Sequence, residues 1–245
     1  CNILGSGAVS PGISSDVSGS SEVITVFSNR GEGTALLNVI PSFDGYLING
    51  PTQSGGDSLK WFKDNFAPPG GLKAPEAYGY SWFDQLANST IAGAEGLIFL
   101  RYLEGERAPI WDSNARGIFI GITKKHGYKE FIRSILEGVA FSIRHVLETA
   151  EMVGKLKVQE IRVSGGGAKS AVWNQIKADI TGRVVRVPKV LNNACLGVAL
   201  IAGVGIGCYP SYAVAAQSAV QISKEFKPHF ENQQRYQDLY KIYRQ

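Results

Sequence analysis

The stretch Glu160–Val187 constrains this chain more than any other. A short β-rich run, Glu160–Val163, ends in Ser164-Gly165-Gly166-Gly167. Val172, Trp173 and Ile176 follow at helical spacing, Gly182 ends that helix, and Val184–Val187 forms a second β-rich run. Strand, glycine turn, helix and strand in alternation predict an α/β layer structure. Glycines at such a junction let a ligand approach the backbone and leave amide N–H groups at a helix start. A plain tight turn uses them equally well.

Hairpins precede this unit. Residues 12–28 read as two β-rich stretches around Ser18-Gly19-Ser20-Ser21, a turn with a hydroxyl-rich tip. A further strand pair is expected at Ala35–Ile40 and Tyr46–Asn49, and Ser54-Gly55-Gly56-Asp57 opens a helix with Leu59, Trp61 and Phe62. Residues 67–75, with three prolines and two glycines, are expected as a loop. Ile98–Leu103 reads as a short strand or packed turn. Glu104, Glu106, Arg107 and Asp112 read as a solvated charged loop with local ion pairs.

The clearest helix runs from Tyr128 to Val153, with Phe131, Ile135, Val139, Ile143, Val146 and Ala150 on one face. A last helix, Glu231–Gln245, carries Tyr236, Tyr240 and Tyr243, which pack on the chain's own core or form a homo-oligomer contact. Hairpins first, then alternation, predict one α/β domain over residues 1–245 with a mixed sheet flanked by helices.

Composition excludes several classes. The 245 residues are 44% hydrophobic and 19% charged, which excludes a disordered chain or a coiled coil. A scattered net charge of +4 predicts no nucleic-acid partner. Val190–Ser223 holds no charged residue, but its apolar part, Ala194–Tyr209, is 16 residues, short of the roughly 20 that span a bilayer. A buried small-residue helix and no membrane contact are predicted. Cys1, Cys195 and Cys208 read as reduced cytoplasmic thiols, and with His126, His145 and His229 they show no metal-ligand spacing.

Two sharper motifs fail. A phosphate loop needs glycine directly before Lys-Ser, and Ala168 precedes Lys169-Ser170. A dinucleotide fingerprint would put Ser170 in its last glycine slot and an acid where Arg186 stands, so a nicotinamide enzyme rests on the glycine cluster alone. Three glycine-rich anion sites remain as candidates: the Ser18–Ser21 tip, the Gly55–Gly56 helix start and Gly165–Gly167.

The order of these pieces resembles the C-terminal half of the FGGY carbohydrate kinases, and among them the xylulokinase-like members. LGSG at Leu4–Gly7, SGSSEV at Ser18–Val23, NGPTQSGGDSLKWF at Asn49–Phe62 and GERAPIWDSNARG at Gly105–Gly117 carry the resemblance. ILEGVAFSIRHVLE at Ile135–Glu148, IRVSGGGAKSAVWNQIKADITGRVV at Ile161–Val185 and LGVALIAGVGIG at Leu196–Gly207 continue it along the chain. It implies an actin-like, ribonuclease-H-like domain whose missing N-terminal neighbour holds most of the sugar site. It also implies ATP with Mg²⁺ in the cleft and phosphorylation of a sugar or polyol hydroxyl.

Carried over by position, Gly19 and Ser20 of the tip that ends in Ser21 match the phosphate-contacting turn, with serine for threonine. Gly56 matches a glycine near the ribose and phosphates, and Lys60 stands where some members have Gln. Gly166 and Gly167 match the adenosine-side turn, and Ser170 stands where some members place an Asn near the base. The catalytic Asp falls upstream of Cys1. The chain is therefore expected to be a cytoplasmic ATP-binding piece of a longer kinase, inactive alone. An actin-fold ATP-binding regulatory or chaperone-like module is the alternative.

Overall fold

A computed structural model describes residues 1–66 and 79–245; the loop expected at 67–75 lies outside them. Strands β1 (Ile13–Ser18) and β2 (Glu22–Ser28) form the expected antiparallel hairpin, with Ser18 opposite Glu22. The second pair, β3 (Asn38–Ser42) and β4 (Gly45–Pro51), extends it, β4 lying antiparallel to β2. A short antiparallel ribbon, β5 (Ile98–Leu100) with β6 (Ile118–Ile120), stands apart from them.

The decisive pairing is non-local. Strand β7 (Glu160–Ser164) runs parallel to β1, and β8 (Val184–Pro188) runs parallel to β7. Helix α5 (Ala171–Thr181) is the crossover that a parallel β7–β8 pair requires. With β9 (Ile222–Phe226) antiparallel at the edge, the seven strands take the order β3-β4-β2-β1-β7-β8-β9. This is the expected mixed sheet.

Helix α4 (Tyr128–Gly154) covers one face beside α5 and buries the predicted stripe, Ile135, Val139, Ile143 and Val146. Its first turn is closed by Glu130, whose Oε2 accepts from the Gly127 amide at 2.9 Å. The last helix, α8 (Phe230–Tyr243), turns its aromatic face into this core, not toward a partner: Tyr236, Tyr240 and Tyr243 are all buried. The Tyr236 hydroxyl donates to Glu137 Oε1 at 2.7 Å and accepts from Arg133. Helices α2 (Gly56–Asn65) and α3 (Tyr80–Asn88) pack on the α4 side; α3 and β6 lie outside the elements expected from the sequence.

The other face is covered by α1 (Asn2–Ser6), α6 (Asn193–Gly205) and α7 (Tyr212–Ala219). Here the expectation of a buried apolar helix is corrected. Of α6, only Asn193, Gly197 and Leu200 are buried, while Val198 is 56% exposed. The reason is geometric: α6 crosses the five-residue α1 along one glycine edge, which leaves its opposite face uncovered. Among the described residues, no helix is long and apolar enough to cross a membrane.

The Gly105–Gly117 loop is also corrected. Glu106 is buried and pairs with fully buried Arg101 at 2.5 Å. Arg101 Nη1 donates to Ser54 O at 2.7 Å, and Arg107 to Thr52 O. These bonds strap the loop to the entry of α2, so Glu106 and Arg107 serve the interior, while Glu104 and Asp112 stay exposed as expected.

Candidate functional site

The β1–β2 tip is the first wall of a cavity. Its turn is closed by the Gly19 amide donating to Ser21 O at 3.0 Å. The α2 start docks beneath it: the amides of Gly55 and Asp57 donate to Ser20 O, and that of Gly56 to Gly19 O. The helix-start amides expected to bind an anion are therefore already engaged by the hairpin carbonyls. The Ser20, Gly166 and Gly167 amides take no part in these bonds.

The second wall is the turn after β7. Gly165 adopts φ +80°, and a Cβ there would sit 2.6 Å from Ser18 O, so glycine is required both by dihedral and by space. A Cβ on Gly167 would fall 2.1 Å from Ser18 Oγ. The two glycine turns are thus in contact through Ser18. Ser170 then caps α5, its Oγ accepting from the Trp173 amide at 3.0 Å.

Together these segments enclose about 600 Å³, within the range of small-molecule sites. Gly19, Ser20, Gly56, Lys60, Gly166, Gly167 and Ser170 all line it. Ser21 is not among the lining residues; its carbonyl closes the turn behind them. Lys60 is bound to Asp64 at 2.5 Å, which raises its ammonium above the usual lysine range.

Sequence reasoning missed the far wall. Tyr80, Ser81 and Asp84 of α3 line the cavity, as do Leu136 and Trp173. Asp84 Oδ1 accepts from Ser170 Oγ at 2.7 Å. Burial pushes the Asp84 carboxyl up against the opposing pull of that bond. The signal available was the spacing of Trp82, Phe83, Leu86 and Ala87, which marks an amphipathic helix. A more open groove of about 940 Å³ lies elsewhere, between α4 and α5, where Arg144 and Arg183 are neutralised by Glu148 and Glu151.

The cavity thus offers unspent backbone amides and hydroxyls at one end, a carboxyl and an aromatic wall at the other. Such a site suits an elongated anion with a ring. Among the described residues, no three His, Cys, Asp or Glu side chains converge on a metal position.

Known proteins give the family and the fold. Residues 18–206 match the FGGY family of carbohydrate kinases, C-terminal domain. The chain is 33% identical over 252 residues to the xylulose kinase of Bacillus subtilis (strain 168), covering 100% of this chain and 48% of that protein. It is 35% identical over 159 residues to the gluconokinase of the same organism, covering 64% and 31%. The ligand-bound xylulose kinase structure from Lactobacillus acidophilus superposes with a TM-score of 0.87 at 27% identity, over 99% of this chain and 48% of that one. The Plasmodium falciparum glycerol kinase with ADP, at 18% identity, shares the fold with a TM-score of 0.83. The expected actin-like, ribonuclease-H-like fold is therefore present. The chain spans about half the length of the curated relatives it matches. With residues 18–206 matched by the family's C-terminal domain and the full length of the chain aligned to a 33% identical relative, the chain belongs to the FGGY family of carbohydrate kinases.

Proposed function

We propose that this domain binds ATP as the nucleotide half of a kinase that phosphorylates a sugar or polyol hydroxyl. One observation carries the reading: segments 18–20, 56–60 and 166–170, distant in sequence, meet on one cavity whose Ser20, Gly166 and Gly167 amides take no part in the turn bonds. The Ser18–Ser21 tip holds the phosphates, and the Gly165–Gly167 turn, α3, Trp173 and Ser170 border the nucleoside. The curated relatives named above phosphorylate xylulose and gluconate by their names, and a ligand of that class is proposed here.

Phosphoryl transfer is mainly positioning and charge stabilisation. On this reading the domain fixes the donor, and a segment outside residues 1–245 supplies the sugar contacts and the carboxylate that accepts the hydroxyl proton. Magnesium usually rides on substrate phosphates with one or two carboxylates, and Asp57, which lines the cavity with its amide on Ser20 O, fits that role. A bound Mg²⁺ would neutralise the phosphate charge. Three free cysteines accord with a cytoplasmic setting.

Calorimetric titration of Mg·ADP into the folded chain tests the reading. Binding that is lost in Gly167→Val supports it. A folded chain that binds no nucleotide, or a Gly167→Val chain that binds as well as wild type, overturns it for this domain. The regulatory-module alternative is separated by ATP turnover in the longer protein, which depends on sugar only if the protein is a kinase.

A further inference from the structure

A buried ionic cluster lies directly behind the cavity wall. Lys177 of α5 and Asp16 of β1 have fully buried side chains, and that of Glu22 of β2 is 1% exposed. Lys177 Nζ donates to Asp16 Oδ2 at 2.7 Å, Ser18 Oγ at 3.0 Å and Glu22 Oε2 at 3.4 Å, which uses its three N–H groups. Ser18 Oγ in turn donates to Glu22 Oε1 at 2.9 Å. The ammonium also stands 4.5 Å from the centroid of Trp173, whose side chain borders the cavity.

Two carboxyls against one ammonium would leave a bare charge in the core, which is costly. Burial first, then Asp16, pushes the Glu22 carboxyl well above the usual carboxylate range. Burial alone would lower Lys177, but Asp16 and Glu22 outweigh it and raise the ammonium. With Glu22 holding its proton, the cluster is neutral. Asp16 Oδ1 is buried and meets no hydrogen-bond partner among the described residues.

Stability does not explain such a cluster, because well-packed apolar residues of similar volume often serve as well or better. Its distinctive product is a fixed Ser18. That residue ends β1, lines the cavity, and is the contact on which both Gly165 and Gly167 rest. We propose that Lys177 is a positioning residue for the nucleotide: acting through Ser18, it sets the spacing between the Ser18–Ser21 tip and the Gly165–Gly167 turn. The inference rests on the nucleotide reading given above.

Lys177→Met alone leaves Asp16 unpaired and threatens folding, so the test uses the paired Asp16→Asn/Lys177→Met chain, together with Ser18→Ala and Glu22→Gln. Two readouts are taken: hydrogen exchange of the amides at 19–21 and 165–168 without ligand, and Mg·ADP affinity. The paired variant and Ser18→Ala are expected to exchange faster in both turns and to bind ADP about tenfold more weakly, the loss of one well-placed hydrogen bond. Glu22→Gln mimics the protonated acid and is expected to match wild type in both. Unchanged exchange in both turns of a folded paired variant overturns the proposal, as does unchanged ADP affinity. Weak binding by Glu22→Gln overturns the neutral cluster. If wild type itself binds no ADP, the nucleotide reading fails on its own account, and the exchange rates still decide whether Lys177 sets the turns.

Discussion

The contact of β1 with the Gly165–Gly167 turn and the crossing of α1 over α6 are both built on glycine, yet they lead to different surfaces. At the first, a Cβ on Gly167 would meet Ser18 Oγ at 2.1 Å. At the second, a Cβ on Gly5 would meet Asn193 O at 1.8 Å, and one on Gly197 would meet Cys1 O at 2.1 Å. Behind the first stand a hydroxyl, two acids and an ammonium, and a cavity opens in front of it. The second rests on the Asn193 and Cys1 carbonyls, beside the buried Asn193 side chain and a small apolar cluster of Leu4, Leu200, Ala215 and Ala216. Close approach is therefore generic; the surrounding donors and charges make a site of one contact and a seam of the other.

The largest expected effect sharpens that contrast. Lys177→Met should cost about 3–5 kcal/mol in urea denaturation, because it strands a buried acid. A loss below about 1 kcal/mol would mean that the cluster is not sealed and behaves as a surface pair does.

At the seam, Gly5→Val or Gly197→Val should cost about 1–3 kcal/mol by overpacking. Neither should change ADP affinity in the chain that still folds. A variant here that weakens ADP binding at unchanged stability would break the separation of the two regions.

Next in size, Ser170→Ala removes both the α5 cap and the bond to Asp84, at a cost of about 1 kcal/mol. Ser170→Thr should restore most of it, and equal melting temperatures for all three chains would refute the cap.

The smallest effect is a pH slope remote from both contacts. Burial, with Arg244 close by, holds the half-buried His145 down at about 4, against an ordinary 6.5. Between those values the unfolded chain binds a proton that the folded chain does not, so folded stability falls as pH drops through that window. His145→Gln should flatten the acid limb of melting temperature against pH; an identical limb in both chains would remove His145 from the account.

What was legible follows from range. The hairpin over 12–28, the long helix from Tyr128 and the strand–glycine–helix unit could be read because each signal is local: alternation, a helical stripe, a glycine at a helix end. The exposed face of α6 could not, because apolar composition does not say how many neighbours a helix will find. Nor could Glu106, which looked like one more loop charge until Arg101 met it in the interior. Asp84 was hidden for a related reason: its role comes from Ser170, 86 residues away.

By itself, then, the sequence determined the hairpins, the long helix, the strand–glycine–helix–strand unit, their order and the three glycine-rich turns, since periodicity and backbone freedom are properties of neighbouring residues. Only the tertiary structure decided that all three border one cavity, while the amides of the Gly55–Gly56 helix start are taken up by the hairpin carbonyls. It alone also brought Asp16, Glu22 and Lys177, up to 161 residues apart, into one buried cluster. Parallel pairing of β1 with β7 is the physical reason, because it joins parts of the chain that no local pattern connects.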